Sequence, residues 1–189
     1  MGEVEKGFDA CDRAEAIARR LGRPEELFLA IHNSGTARIR VARRLRRSGE
    51  SAGALGLAAL PFAEEAVALA KKSGNTFQVA LATSILAAAL DLLGRFEEAN
   101  RHAEESLSNA RTYHYRVSER VVLEDRAQSL LARVRLEEAI AVFESLWSIS
   151  SADADHPFGA HAQEGLYRSY RRLGRFEQAL THHEKFHQI

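Results

Sequence analysis

The sequence predicts an all-α protein, a right-handed superhelix (solenoid) of antiparallel helical hairpins with about nine helices. A seven-residue segment, Leu93 to Ala99, recurs 80 residues later as Leu173 to Ala179, with a difference at one of the seven positions. A more divergent third copy, Arg133 to Ala139, lies midway between them. Repeats of this size are typical of stacked helical hairpins, because one hairpin cannot bury its apolar stripe alone.

The composition agrees with a helical, intracellular protein. Alanine and leucine dominate, prolines number three, and β-branched runs are nearly absent. Basic and acidic residues number 26 each, so the net charge argues neither for nor against a nucleic-acid partner. The single cysteine, Cys11, excludes an intramolecular disulfide framework and suits a reducing cytoplasm. No signal-peptide-like or membrane-length apolar run is found, so we expect a cytoplasmic protein without a membrane partner.

The first two helices have clear boundaries in the sequence. Apolar residues at helical spacing predict a helix over 3–21, which ends at Gly22. Pro24 begins the second helix, because its missing N–H costs nothing in the first turn. That helix is expected to run to about Arg47 and to end before Gly49.

The segment over 49–61 interrupts the regular pattern with three glycines and Pro61. We expect about five inserted residues here, followed by a helix from about Ala54 to Lys72 that is bent or restarted at Pro61. Ala59 keeps the 40-residue period, but the insertion makes its equivalence to the later alanines the least secure.

From residue 76 onward the spacing is regular. Helices are expected near 76–93, 96–111, 116–133, 136–150, 158–173 and 176–187. Gly94 and Gly174 supply the left-handed turn residue within two of the hairpins. Val134 replaces that glycine in the middle copy, so its turn should be tighter or strained, or should avoid positive φ.

These elements predict a single array over residues 1–189. It comprises a lone second helix of a truncated repeat at 3–21, a repeat with an insertion at 24–73, and regular repeats at 76–112, 116–150 and 157–189. Asp153 and Asp155 are expected to cap the helix that begins near Pro157.

The repeated segment resembles the second-half signature of the tetratricopeptide repeat (TPR) family: glycine, a polar residue, an aromatic, two polar residues and alanine. The positions that carry the repeat pattern are Ala59, Gly94, Phe96, Ala99, Ala139, Gly174, Phe176 and Ala179. The alanines allow close helix approach, and we expect the two phenylalanine rings to fill the space between one hairpin and the next. The period of 40, against about 34 in most of the family, resembles long arrays in bacterial signalling proteins, ahead of diguanylate cyclase or LuxR-type output domains.

The resemblance also implies a binding groove, because the first helix of each TPR hairpin lines the concave side. Carried onto this sequence, the groove residues are Arg43, Val121, Glu124, Gln128, His161, Glu164, Arg168 and Arg171.

Two arginine clusters overlap this set. They contain Arg40, Arg43, Arg44 and Arg47, with Arg38 and Arg46 close by, and Arg168, Arg171, Arg172 and Arg175. Guanidinium groups in such clusters could grip an anionic partner segment. Alternatively, they form solvated helix faces paired with carboxylates of neighbouring helices.

One catalytic motif occurs, and its context argues against catalysis. The segment from His183 to His187 matches H-E-x-x-H, in which two histidines hold zinc and the glutamate acts as base. These residues occupy ordinary second-helix positions of the repeat, and Phe186 falls where the repeat needs an apolar side chain. Cys11 lies among the apolar positions of its helix, where cysteines are usually inert. We therefore predict no enzyme, no catalytic residues, no cofactor and no metal.

The predicted function is a non-catalytic protein–protein interaction module, the regulatory or sensory segment of a larger bacterial signalling protein. Its partner is expected to be a protein or peptide segment, and the arginine clusters suggest an anionic one. One alternative is a stand-alone oligomerisation or assembly scaffold, since exposed apolar end faces favour a homodimer through terminal hairpins. The less favoured alternative is a nucleic-acid-binding helical repeat that uses the arginine clusters.

Overall fold

The fold is all-α, as the sequence predicts. A computed structural model describes residues 2–151 and 157–189, and within these ranges it contains nine helices and no strand. The helices are α1 (Gly2–Leu21), α2 (Pro24–Arg47), α3 (Gly53–Ser73), α4 (Thr76–Leu92), α5 (Phe96–Thr112), α6 (Arg116–Ala132), α7 (Leu136–Ser150), α8 (Pro157–Arg172) and α9 (Phe176–Gln188). The capping proposed for Asp153 and Asp155 falls outside the described residues.

The helices form two compact units, Met1–Tyr115 and Arg116–Ile189. In each unit every helix packs against the next one in sequence. Alternate helices also touch, α2 with α4 in the first unit and α6 with α8 in the second. Each unit is therefore built as a stack of antiparallel hairpins in which the first helices of consecutive hairpins lie side by side.

α1 is held to the first unit largely by polar contacts. Only Ala18 of this helix is buried, and Ile17 and Leu21 are exposed. The guanidinium of Arg38 lies 4.9 Å from the centre of the Phe8 ring, within reach of a cation–π interaction. The apolar spacing of 3–21 therefore predicts the helix correctly, although much of its apolar surface stays accessible.

α3 runs without interruption through Pro61, so the predicted alternative of a restarted helix is wrong. Proline removes the hydrogen bond to the carbonyl of Leu57, but both residues lie on the exposed side, where water can satisfy that oxygen. Gly56 lies inside the helix, where a Cβ would come within 2.7 Å of the Leu92 Cβ. The absence of a side chain at Gly56 therefore allows α3 to approach α4 closely.

By length and composition alone, α3 is apolar enough to cross a membrane, the one such helix in the described ranges. One side of it is lined by small residues that are at most 1% exposed: Ala59, Ala63, Ala66 and Ala70. These alanines belong to apolar clusters shared with α2 and α4. We interpret α3 as a core helix.

The turns inside three hairpins have the same backbone conformation. The turn residues Gly94, Val134 and Gly174 have φ values of 76°, 61° and 74°. In each turn the amide of the following arginine donates to the carbonyl five residues earlier, at 2.9 to 3.0 Å. Val134 therefore adopts the strained left-handed conformation, and the alternative that its turn avoids positive φ is wrong.

The repeat alanines are all buried. Ala59, Ala99, Ala139 and Ala179 are between 0% and 6% exposed. The expectation for the aromatic position is wrong in the last repeat, because Phe176 is 69% exposed. Its equivalent in the middle repeat, Leu136, is 8% exposed. Among the described helices of this unit, α9 packs on α8 without a further hairpin beyond it, so nothing covers Phe176.

The core of the second unit depends on a close contact between α7 and α8. Phe143 and Leu146 of α7 are fully buried, and Leu166 of α8 is 1% exposed. Gly165 faces the Phe143 ring so closely that a Cβ would lie 2.2 Å from the ring Cζ. The Phe143 ring thus occupies the space that a side chain at position 165 would fill.

Candidate partner-binding face

Two packed helices of the second unit carry most of the predicted groove residues. Val121, Glu124 and Gln128 on α6 are 40 residues before His161, Glu164 and Arg168 on α8, so they occupy equivalent positions. We call these residues, together with Arg171, the α6/α8 face. Its members are half-buried except for Arg171, which is exposed. The side chains of this face are therefore accessible to a ligand and also contact neighbouring residues of the protein.

A polar contact joins the two helices of this face. The Nδ1 of His161 lies 2.8 Å from an Oε1 of Glu124. The Glu124 side chain is only 14% exposed, so this contact is partly shielded from water. The pair fixes the α6 carboxylate against α8, on the half of the face nearer the N-termini of both helices.

Two arginines of the second cluster form hydrogen bonds with other residues of the chain. Arg172 donates to the carbonyl of Leu131 at 2.8 Å, near the C-terminal end of α6. Arg175 grips both carboxylate oxygens of Glu137, at 3.2 and 2.6 Å. The alternative of pairing with a carboxylate of a neighbouring helix therefore holds for Arg175, whereas Arg172 binds a backbone carbonyl.

The other two arginines of this cluster have weaker partners. Arg168 lies 3.8 Å from the Glu164 carboxylate, beyond hydrogen-bonding distance. Arg171 donates to the neutral hydroxyl of Tyr167 at 3.1 Å, and its guanidinium lies 6.0 Å from the centre of that ring. Arg168 therefore has only a long, exposed ion pair, and Arg171 has only a neutral hydrogen-bond partner; the two residues are three positions apart on one side of α8.

Tyr167 was not among the predicted site residues, although it orients Arg171. The signal in the sequence was its spacing, four residues before the arginine on the same helix face. The Tyr167 ring also packs on the His183 ring of α9, with centres 4.7 Å apart. α9 thus supports the side chain that positions Arg171.

A second aromatic contact fastens α8 to α9. The rings of Tyr170 and His182 stack with centres 5.3 Å apart, and the His182 Nδ1–H donates to Gln163 Oε1 at 2.7 Å. Burial lowers the pKa of His182, and nearby Lys185 lowers it further. The imidazole is therefore neutral near pH 7 and contributes packing rather than charge.

The first arginine cluster lies in the other unit and divides in the same way. Arg43 is half-buried on α2 in the first unit, so it does not belong to the α6/α8 face. Arg46 forms an ion pair with Asp91 of α4. Arg38 donates to the Ser34 carbonyl, while Arg40 is exposed.

The H-E-x-x-H segment does not form part of a metal cluster among the described residues. No group of three or more His, Cys, Asp or Glu side chains in those ranges is arranged to hold a metal ion. The rings of His183 and His187 meet edge to face, with centres 4.5 Å apart, and His183 packs on Tyr167. Phe186 between them is half-buried.

Comparison with solved structures identifies the fold. Two crystal structures of a Podosopora anserina kinesin light chain protein with nearly identical TPR-like repeats, one of them a variant, match almost the whole chain. Their TM-scores are 0.68 and 0.65, each at 19% identity, over 99% of this chain and 86% and 87% of those chains. The fold is that of a TPR-like helical repeat. No protein-family model and no curated protein matches the sequence.

In a stack of hairpins the first helices form one layer, and here those helices are α2 and α4 in one unit and α6 and α8 in the other.

Proposed function

We propose that the protein is a non-catalytic interaction module whose α6/α8 face binds a segment of a partner protein that carries acidic groups. The observation behind this proposal is the state of Arg168 and Arg171. Among the described residues, neither has a carboxylate at hydrogen-bonding distance, whereas Arg175 in the same cluster binds Glu137 through both of its terminal guanidinium nitrogens. Guanidinium groups held on a half-buried face can form charge-assisted hydrogen bonds with an incoming carboxylate.

Site-specific photo-crosslinking in cells tests this proposal, because it captures whichever protein binds the face. A photoreactive residue at Gln128 on the α6/α8 face should trap a partner protein. The matched control is Ser145, an exposed position on α7 outside the face. The same adduct from both positions, or none from Gln128, would overturn the proposal.

Charge reversal then tests the role of the arginines. The double variant Arg168→Glu/Arg171→Glu should lose the crosslinked partner. The control Arg101→Glu/Arg116→Glu makes the same change in net charge at two exposed positions outside the face and should keep it. Equal loss in both variants would show that net charge, rather than this face, controls binding.

We further propose that the module is the regulatory segment of a larger bacterial signalling protein. The support is the 40-residue period, which resembles that of arrays found ahead of diguanylate cyclase or LuxR-type output domains. Sequencing the gene beyond the codon for residue 189 tests this directly. An output domain there would support the proposal, and a stop codon with no such domain would overturn it.

Self-association through a terminal hairpin is the second candidate function, because α9 presents apolar side chains to solvent. Phe176 and Leu180 are 69% and 57% exposed, while their equivalents Leu136 and Ile140 are 8% and 6% exposed beneath the neighbouring helix. Covering such a patch is favourable, at about 25 cal/mol per Å² of apolar area. Light scattering should find a dimer that Phe176→Ser/Leu180→Ser converts to monomer. A wild-type monomer at high concentration would exclude this candidate.

A further inference from the structure

The charges of α8 on the α6/α8 face are separated along the helix axis. Glu164 lies in the middle of α8, and Arg168 and Arg171 lie toward its C-terminal end. Glu164 stays accessible, because its side chain is 36% exposed and the Arg168 guanidinium is 3.8 Å away. A purely acidic segment would satisfy the arginines but would repel this glutamate.

We propose that the partner segment is dipolar, with a basic side chain over Glu164 and an acidic side chain over Arg168 and Arg171. This inference rests on the proposed function of the same face and specifies the chemistry of its ligand. A dipolar segment is complementary to both parts of the helix, because each of its charges faces an opposite charge and no like charges are brought together.

The helix geometry sets the spacing of the two charges. Glu164 and Arg171 are seven residues apart, which corresponds to roughly 10 Å along the helix axis. A polyproline II segment has three residues per turn and rises about 3.1 Å per residue, so residues i and i+3 share one side about 9 Å apart. A segment in this conformation with its basic and acidic residues three positions apart matches the spacing, so it is the peptide chosen to probe the inference.

The internal contacts of the face orient these side chains and offset their charges only in part, because the Arg168–Glu164 ion pair is long and exposed. The hydroxyl of Tyr167 holds Arg171 in place but is itself neutral. The Arg168 guanidinium is too far from Glu164 for a hydrogen bond, so a ligand does not have to break one to reach either group. Orientation before binding reduces the ordering cost that a ligand must overcome.

Titration of the isotope-labelled full chain with capped peptides tests the proposal by NMR. The probe contains Lys-Pro-Pro-Glu within an uncharged flank, and the comparison peptides replace it with Glu-Pro-Pro-Glu or Lys-Pro-Pro-Lys. Capping removes the terminal charges that would otherwise mimic the ligand. The dipolar peptide should bind at least about threefold more tightly than either comparison peptide, as expected for one additional exposed ion pair. Its preference should weaken with added salt.

Spacing variants and charge reversal sharpen the test. Shortening or lengthening the proline spacer by one residue should reduce affinity, because the two charges then leave a common side. Arg168→Glu/Arg171→Glu should change the preferred ligand to Lys-Pro-Pro-Lys, and Arg168→Gln/Arg171→Gln should abolish the preference for a glutamate-containing peptide. The control Arg101→Glu/Arg116→Glu should keep the wild-type order.

The outcomes separate this inference from the proposed function. If Glu-Pro-Pro-Glu binds best and Gln128 still crosslinks a partner, the face binds acidic segments and the dipolar ligand is wrong. Absence of binding to all three peptides, or preference for a single-stranded oligonucleotide over them, also overturns the inference. Loss of the Gln128 crosslink alone would count against the proposed function.

Discussion

The contact between Gly165 and the Phe143 ring makes a sharp prediction about stability. In Gly165→Ala the new methyl group would lie 2.2, 2.3 and 2.6 Å from the Cζ, Cε1 and Cε2 atoms of Phe143. These separations are far shorter than a normal carbon–carbon contact of about 3.5–4.0 Å. Phe143 is fully buried, so its ring has no open space to enter and α7 or α8 must shift.

Two opposing effects set the magnitude. A glycine-to-alanine change inside a helix usually stabilises by about 1 kcal/mol. Overpacking a filled core typically costs about 1–3 kcal/mol, and three close contacts with one ring place this site toward the upper end. We therefore expect a net loss of about 1–2 kcal/mol in the free energy of unfolding. For a unit of this size that corresponds to a midpoint lowered by roughly 4–16 °C.

Thermal and urea unfolding of the full chain, followed by circular dichroism, measure this loss. Gly159→Ala is the matched control in the same helix, where a Cβ would lie 3.4 Å from Trp147 Cζ3, an ordinary contact. That variant should be neutral or slightly more stable. Opposite signs at the two glycines would therefore isolate the ring contact from helix propensity.

A double-mutant cycle completes the test. Phe143→Leu alone should destabilise by removing buried volume, but in the Gly165→Ala background it should cost less, since the smaller side chain makes room for the methyl group. We expect a coupling of at least about 1 kcal/mol between the two sites. Gly165→Ala as stable as Gly159→Ala, or additive effects in the cycle, would refute the reasoning.

Four further substitutions have expected outcomes. Val134→Gly should stabilise by about 1 kcal/mol, because it relieves left-handed strain at an exposed residue, and Gly174→Val should destabilise by a similar amount; urea midpoints in both directions check this. Ala139→Leu should cost about 1–3 kcal/mol by overpacking a fully buried crossing, and unchanged thermal stability would contradict the assigned register. The lowered pKa of His182 means that its contribution to stability is present above about pH 6.5 and is lost as pH falls through the folded-state pKa. His182→Gln should therefore reduce the loss of stability on acidification, and an unchanged pH slope would argue against this assignment.

The sequence predicted the helices well because their boundaries depend on local chemistry. Gly22 and Gly49 adopt positive φ after helices that end where the sequence indicated. Pro24 occupies the first turn of α2. Glycine and proline at helix ends act through the backbone conformation of a few residues and do not depend on the tertiary fold.

Predictions that depend on neighbouring helices were less successful. Gly56 was counted only among the glycines that interrupt the repeat pattern, whereas in the structure it allows α3 to pack closely against Leu92 of α4. Pro61 suggested a break, yet packing of the alanine side of α3 maintains the helix through it. Phe176 was expected to be buried, which requires a further hairpin that the described residues do not supply.

The candidate site was predictable in position but not in electrostatic detail. The resemblance to the TPR family led to the proposal of Glu124 and His161 on successive first helices, and the structure places these two residues in contact. The division of the second arginine cluster was not predictable, since it depends on distances across helices. Arg168 and Arg171 differ from their neighbours only in what lies within a few ångströms of each guanidinium.

The different partner chosen by Arg175 affects how the last hairpin unfolds. In the two earlier copies, Arg95 and Arg135 each bind a glutamate three residues later in their own helix. The last copy has Gln178 at that position, and Arg175 instead binds Glu137 of the preceding hairpin. Separation of the last hairpin from the preceding one must therefore break the Arg175–Glu137 ion pair. The ion pairs of Arg95 and Arg135 join residues at the start of one helix and do not have to break when hairpins separate. With an amide rather than a carboxylate at position 178, the arginine of the last copy forms its ion pair with the preceding repeat. This ion pair therefore couples the opening of two adjacent repeats.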